Sequence, residues 1–112
     1  DVLMYVGTTA IGICYEVIKP EYRDLVKERV ERFHDVIEIR KEQLLNFCGN
    51  CLEIPDKDGN LLLAMSTAAF NAYTELQKEK IEKHFKKIVH TDISTIEKYG
   101  GGSARCMLAE LF

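Results

Sequence analysis

Residues 2–6 and 10–18 are rich in β-branched and aromatic side chains, which predicts two strands joined by a Gly-Thr-Thr turn. Pro20 then suits the first position of a helix. Tyr22, Leu25, Val26, Val30 and Phe33 come next at helical spacing opposite a charged face, and the helix hands over to a strand at DVIEI, residues 35–39. After a connection, RKEQLLNF, the order returns. NCLEI (50–54) and LLLAMS (61–66) read as strands joined across PDKDGN, whose Asp58-Gly59 pair is a hairpin signal. Thr74 and Gln77 form a capping box that opens a second helix, with Leu76, Ile81 and Phe85 on one face. KIVHTDI (87–93) closes the second set, and residues 104–112 hold few strand breakers and predict one more strand.

The pattern is therefore strand–strand–helix–strand, twice, with a period of about 50 residues. It predicts an α/β fold built from two ββαβ modules, roughly residues 1–40 and 48–93, plus a closing strand at 104–112. In a repeat of this kind each module covers its neighbour, and two modules alone leave sheet edges and faces open. The sequence begins at Asp1 and is apolar and strand-like at once, so we expect the back end of something longer. Either missing N-terminal modules or a homo-oligomer would then supply the cover.

Composition narrows the class. The 112 residues are 46% hydrophobic and 29% charged, which fits one domain with a modest core. A formal net charge of −3 argues against a nucleic-acid footprint, which needs a basic patch. No apolar run approaches the roughly 18 residues that a membrane span requires. A cytoplasmic protein is expected, with Cys14, Cys48, Cys51 and Cys106 as thiols.

Few residues stand out as chemistry. Cys48 and Cys51 form a C-x-x-C, but no second pair stands at zinc spacing, and the pair enters a strand rather than opening a helix. Small buried thiols are the expectation, with no metal and no cofactor. DKDGN differs from a calcium loop: its glycine is misplaced, no acid closes it, and strands flank it. His34 stands at a helix end, where a cation suits the dipole. His84 lies among Lys83, Lys86 and Lys87 and is expected in solvent, and His90 on its strand is expected to be structural. Cys106 differs, because Gly100, Gly101 and Gly102 precede it and let another group approach closely. From the residues alone it reads equally as a buried structural thiol or a nucleophile.

GGGSARCMLAELF resembles the C-terminal signature of the guanidine-modifying superfamily: amidinotransferases, arginine deiminases and dimethylargininases. CGNCLEI and the LLLAMST after it resemble the G-N-x-L-E segment of its citrulline-utilisation, amidinotransferase-like branch. DVLMYVG resembles the stretch downstream of the histidine in an H-x-D or H-x-N motif. The resemblance implies a pentein-type propeller of five ββαβ modules, of which this chain supplies the last two and the closing strand. It implies Cys106 as nucleophile and Asp1 and Asn50 as substrate-binding positions, with Gly101 and Gly102 forming the loop before the nucleophile. The substrate it implies is an arginine-like guanidino small molecule, and no cofactor. The motif's histidine falls two positions before Asp1, outside the sequence, and the guanidinium-binding carboxylates belong to earlier modules.

Two functions are compatible with these residues. One is the C-terminal part of a guanidine-modifying enzyme, either a deiminase-like hydrolase or an amidinotransferase. The other is a non-catalytic remnant or assembly module. The isolated chain is expected to be inactive, because general acid–base help is worth ~10²–10⁴-fold.

Overall fold

A computed structural model describes residues 3–92. The first half runs β1 (Met4–Val6), β2 (Ala10–Ile13), a 3-10 turn (Tyr15–Val17), α1 (Pro20–Glu31) and β3 (Asp35–Glu38). The second runs α2 (Lys41–Leu44), β4 (Leu52–Pro55), β5 (Leu61–Ser66), α3 (Thr67–Ala72), α4 (Glu75–Glu82) and β6 (Lys87–Thr91). Each half makes a three-stranded sheet, ordered β1-β2-β3 and β4-β5-β6. In both, the first pair is antiparallel and the second parallel. The fold is mixed α/β, and the repeated strand order read from the sequence is present in both halves.

Local chemistry explains several boundaries. Gly59 takes φ 83 in the β4–β5 loop, and the Asp56 carboxylate accepts from the Asp58 and Asn60 amides, so the hairpin forms where Asp58-Gly59 predicted it. Thr74 and Gln77 exchange the two bonds of a capping box at the start of α4.

Other expectations need correction. The second strand stops at Ile13 instead of running to residue 18. Its parallel partner ends at Glu38, opposite Ile13, so the chain must leave the sheet. Arg23 braces the turn that follows, donating to Tyr15 O, which also accepts from the Ile18 amide, and to Ile18 O at 3.0 and 2.9 Å. β4 begins at Leu52 rather than residue 50. The RKEQLLNF connection contains α2, and α3 begins directly where β5 ends, with Ser66 turning from strand into helix cap. α4 ends at Glu82, so Phe85 reaches the core from the turn beyond it. Leu76 does not share that face and is 78% exposed.

The cores show how the halves stack. Strand alternation and register place Met4, Ile11, Ile13 and Val36 on one face of the first sheet, where Val26 and Val30 of α1 cover them. The opposite face, with Tyr5, Ala10, Cys14, Ile37 and Ile39, shares one core with Leu63, Met65, Tyr73, Ile81, Phe85 and Ile88 of the second half. The first sheet is thus covered on both faces, by its own helix and by the helices of the next half. Gly12 is required in this layer: a Cβ there would lie 2.1 Å from Tyr5 Cε1, because the Tyr5 ring lies across its cross-strand partner.

Candidate functional site

The G-N segment lies in a tightly held turn between α2 and β4. Phe47 adopts φ 65, a left-handed conformation that costs a non-glycine residue on the order of 1 kcal/mol. The next few residues hold it there. The Asn50 amide donates to Phe47 O at 2.9 Å, Cys48 Sγ donates to Ala69 O, and Tyr73 Oη donates to Cys48 O. Cys51 Sγ also reaches Cys48 O, at 3.2 Å. Asn50 itself is 4% exposed, buried where the turn enters β4.

Cys48 and Cys51 are completely buried, as small core thiols. Burial pushes the Cys48 thiol up to about 12, far from the thiolate that redox or metal chemistry needs. Burial likewise raises the Tyr5 and Tyr73 hydroxyls well above the ordinary phenol range. Among the described residues no group of three or more His, Cys, Asp and Glu is arranged to hold a metal ion.

The histidines divide differently from expectation. His84 is not a solvated residue among lysines. Its Nε2 meets Asp35 Oδ2 at 2.9 Å and its Nδ1 meets Thr9 Oγ1 at 2.8 Å, so it ties the second half to the first. The His84 bond, aided by Lys80 at 3.3 Å, holds the Asp35 carboxyl below the usual carboxylate range. His90 is structural: its ring stacks on Phe70 at 4.1 Å and its Nδ1 meets Thr67 Oγ1. His34 lies just past the end of α1, in a groove of about 420 Å³ that runs between that end, β3 and α4. Glu31, Asp35, Glu38, Leu76 and Lys80 also line the groove, and Asn50 is not among the described residues that do.

Two further polar contacts escaped the sequence reading. Glu53 on β4 accepts from the Thr8 amide and hydroxyl at 2.8 and 2.7 Å, and the Gln43 and Gln77 amides bond reciprocally, with Gln77 also donating to Glu38 O. Their partners stand 45, 34 and 39 residues away, so no local pattern announces them.

Of the predicted site residues, Asn50 alone falls among those described. Asp1, Gly101, Gly102, Cys106 and the closing strand at 104–112 lie outside them. No helix among the described residues is long and apolar enough to cross a membrane.

The sequence model of the eukaryotic N,N dimethylarginine dimethylhydrolases matches residues 1–112. No curated protein matches the chain. The match covers both ββαβ sets, the turn that holds Asn50 and the GGGSARC segment. The chain belongs to the dimethylarginine dimethylhydrolase family, and with it to the guanidine-modifying pentein superfamily.

Proposed function

We propose that this chain is the C-terminal part of a guanidine-modifying hydrolase in which Cys106 is the nucleophile. The observation that carries the reading is the family match over residues 1–112, which takes in Asp1, Asn50 and the Gly101-Gly102 loop as well as Cys106. In this reading the chain is cytoplasmic and supplies two modules of a pentein propeller, at about residues 1–40 and 48–93, with a closing strand at 104–112.

The substrate dictates the chemistry. A guanidinium is planar and resonance-stabilised, so carboxylate and amide oxygens grip its N–H fork while a thiolate approaches the central carbon. Asp1 and Asn50 are assigned to that grip. Attack by Cys106 forms the S–C bond, and the tetrahedral adduct then expels the amine, which takes a proton as it leaves. Water adds to the amidino carbon, the S–C bond breaks, and a ureido product departs. The family's general acid–base histidine is assigned to the position two before Asp1 in the longer polypeptide. His84 and His90 do not offer themselves for it, since each is already engaged by partners within the fold. A cationic substrate itself favours the Cys106 thiolate.

The test is citrulline formation from dimethylarginine and from arginine by the polypeptide that carries this chain, with Cys106→Ser alongside. The variant should lose activity by on the order of 10³-fold or more. Turnover that survives the substitution would remove Cys106 from the mechanism.

A further inference from the structure

The turn that follows α2 takes a conformation its sequence does not favour. The Phe47 amide donates to Leu44 O at 3.0 Å and the Cys48 amide to Gln43 O at 3.2 Å. These are the two bonds of a Schellman helix end, in which glycine usually fills the left-handed position. Here Phe47 fills it, at φ 65. Left to itself, a phenylalanine there would relax to right-handed or extended backbone, and the residues after it would swing.

Bonds to one short helix oppose that movement. Gln43 Nε2 donates to Ala72 O at 2.9 Å, and Cys48 Sγ donates to Ala69 O at 3.6 Å. The Tyr73 hydroxyl, at the cap that ends α3, donates to Cys48 O. The turn is thus pinned at both its ends to the last turn of α3. Tyr73 is buried, with its hydroxyl on that carbonyl. Two residues beyond the carbonyl stands Asn50, whose amide closes on Phe47 O at 2.9 Å. Where Cys48 O is held, the backbone that carries Asn50 is held too.

We propose that Tyr73 is a positioning residue: its hydroxyl, acting through the Cys48 carbonyl, fixes the place of Asn50 and with it the grip on the guanidinium. The proposal rests on the assignment of Asn50 to that grip. A buried amide cannot search for its substrate, so its place must be set before binding. A displacement of about 1 Å in such a group can cost on the order of 10²-fold. The grip acts on the substrate before attack, so loosening it falls on KM rather than kcat.

A double-mutant cycle in the polypeptide that carries this chain tests it, read as KM and kcat for dimethylarginine. Asn50→Ala should raise KM about tenfold or more, as loss of a hydrogen bond to a charged group does. Tyr73→Phe keeps the ring and drops only the hydroxyl. It should raise KM about three- to tenfold and leave kcat within about twofold. In the Asn50→Ala background the same change should leave KM within about twofold, because no amide remains to be placed. If Tyr73→Phe fails to fold by circular dichroism, Cys51→Ala is read in its place with the same outcomes. The Cys51 thiol is a second donor to Cys48 O, at 3.2 Å. A hydroxyl that served stability alone would lower the urea midpoint and leave KM unmoved, and that result overturns the proposal. So does an equal rise of KM in both backgrounds. An Asn50→Ala enzyme of normal KM overturns the grip assignment, and the proposal with it, while the loss of turnover in Cys106→Ser would stand.

Discussion

His84 Nε2 and Asp35 Oδ2 lie 2.9 Å apart, although 49 residues separate them, and the bond crosses from one ββαβ set to the other. A carboxylate only accepts, so Nε2 carries the proton here whatever the state of Nδ1. Nδ1 is held by the Thr9 hydroxyl at 2.8 Å, and Thr8 next to it is gripped by Glu53. The shared apolar core between the halves is non-directional, whereas these bonds fix its register.

Replacing His84 with alanine removes both bonds. The expected cost is about 1–2 kcal/mol, two ordinary net hydrogen bonds at a partly exposed site. Urea unfolding measures it. Hydrogen exchange should quicken first at Thr8, Thr9 and Asp35, ahead of β5 and β6. A loss spread evenly over both sheets would deny the bond its bridging role.

Asp35 makes this joint acid-sensitive. Its carboxyl is held low by His84 first and Lys80 second, so the folded pKa lies below the unfolded one. A depressed acid contributes stability that is present above the ordinary aspartate value of about 3.9 and is lost as pH falls through the lowered folded value. The side chain is 45% exposed, so the contribution is small. Asp35→Asn should be less stable than wild type at pH 6, and the gap should close as the pH falls toward 3. Denaturant midpoints across that range decide it, and a gap that widens in acid would reverse the sign.

Gly12→Ala should destabilise by about 1–3 kcal/mol, as overpacking in a full core does. The added Cβ would sit 2.1 Å from Tyr5 Cε1 and 2.3 Å from Cζ, inside a core where Tyr5 is 2% exposed and cannot swing out. Thermal unfolding of Gly12→Ala and of the Gly12→Ala, Tyr5→Leu pair separates strain from propensity. The double variant should recover part of the loss, because its shorter side chain frees the space over residue 12.

What the sequence made legible was local. The Thr74–Gln77 box spans four residues and the Asp58-Gly59 turn two, so both are written in neighbouring side chains. Residues 10–18 look uniformly strand-like, but the strand length is set by the parallel partner that stops at Glu38. Helical spacing correctly grouped Val26 with Val30, yet it could not say that Tyr22 and Leu25 would be left outside. His84 looked solvated because its neighbours in sequence are lysines, while its partners Thr9 and Asp35 stand 75 and 49 residues away. Of the candidate site, the C-x-x-C was read as core and is core; the strained turn at Phe47 that holds it carries no sequence signal.

Thiol reactivity separates the proposed nucleophile from the other three cysteines. Cys14, Cys48 and Cys51 are each 0% exposed, so in the native protein none of them offers access, and burial pushes the Cys48 thiol up to about 12. An unperturbed cysteine titrates near 8.5, and a nucleophile held for a cationic substrate titrates lower still. Iodoacetamide at pH 7 should therefore modify Cys106 first, as a single adduct by intact mass, with the peptide located by fragmentation. The other three should react only after denaturant is added, and together, because one cooperative core buries Cys14, Cys48 and Cys51. Guanidinium-bearing small molecules should slow the first adduct if Cys106 lines their site, whereas plain salt at equal ionic strength should not. Early modification of Cys48 or Cys51 in the native chain would show that the turn at Phe47 opens, and would count against Cys106 as the distinct thiol.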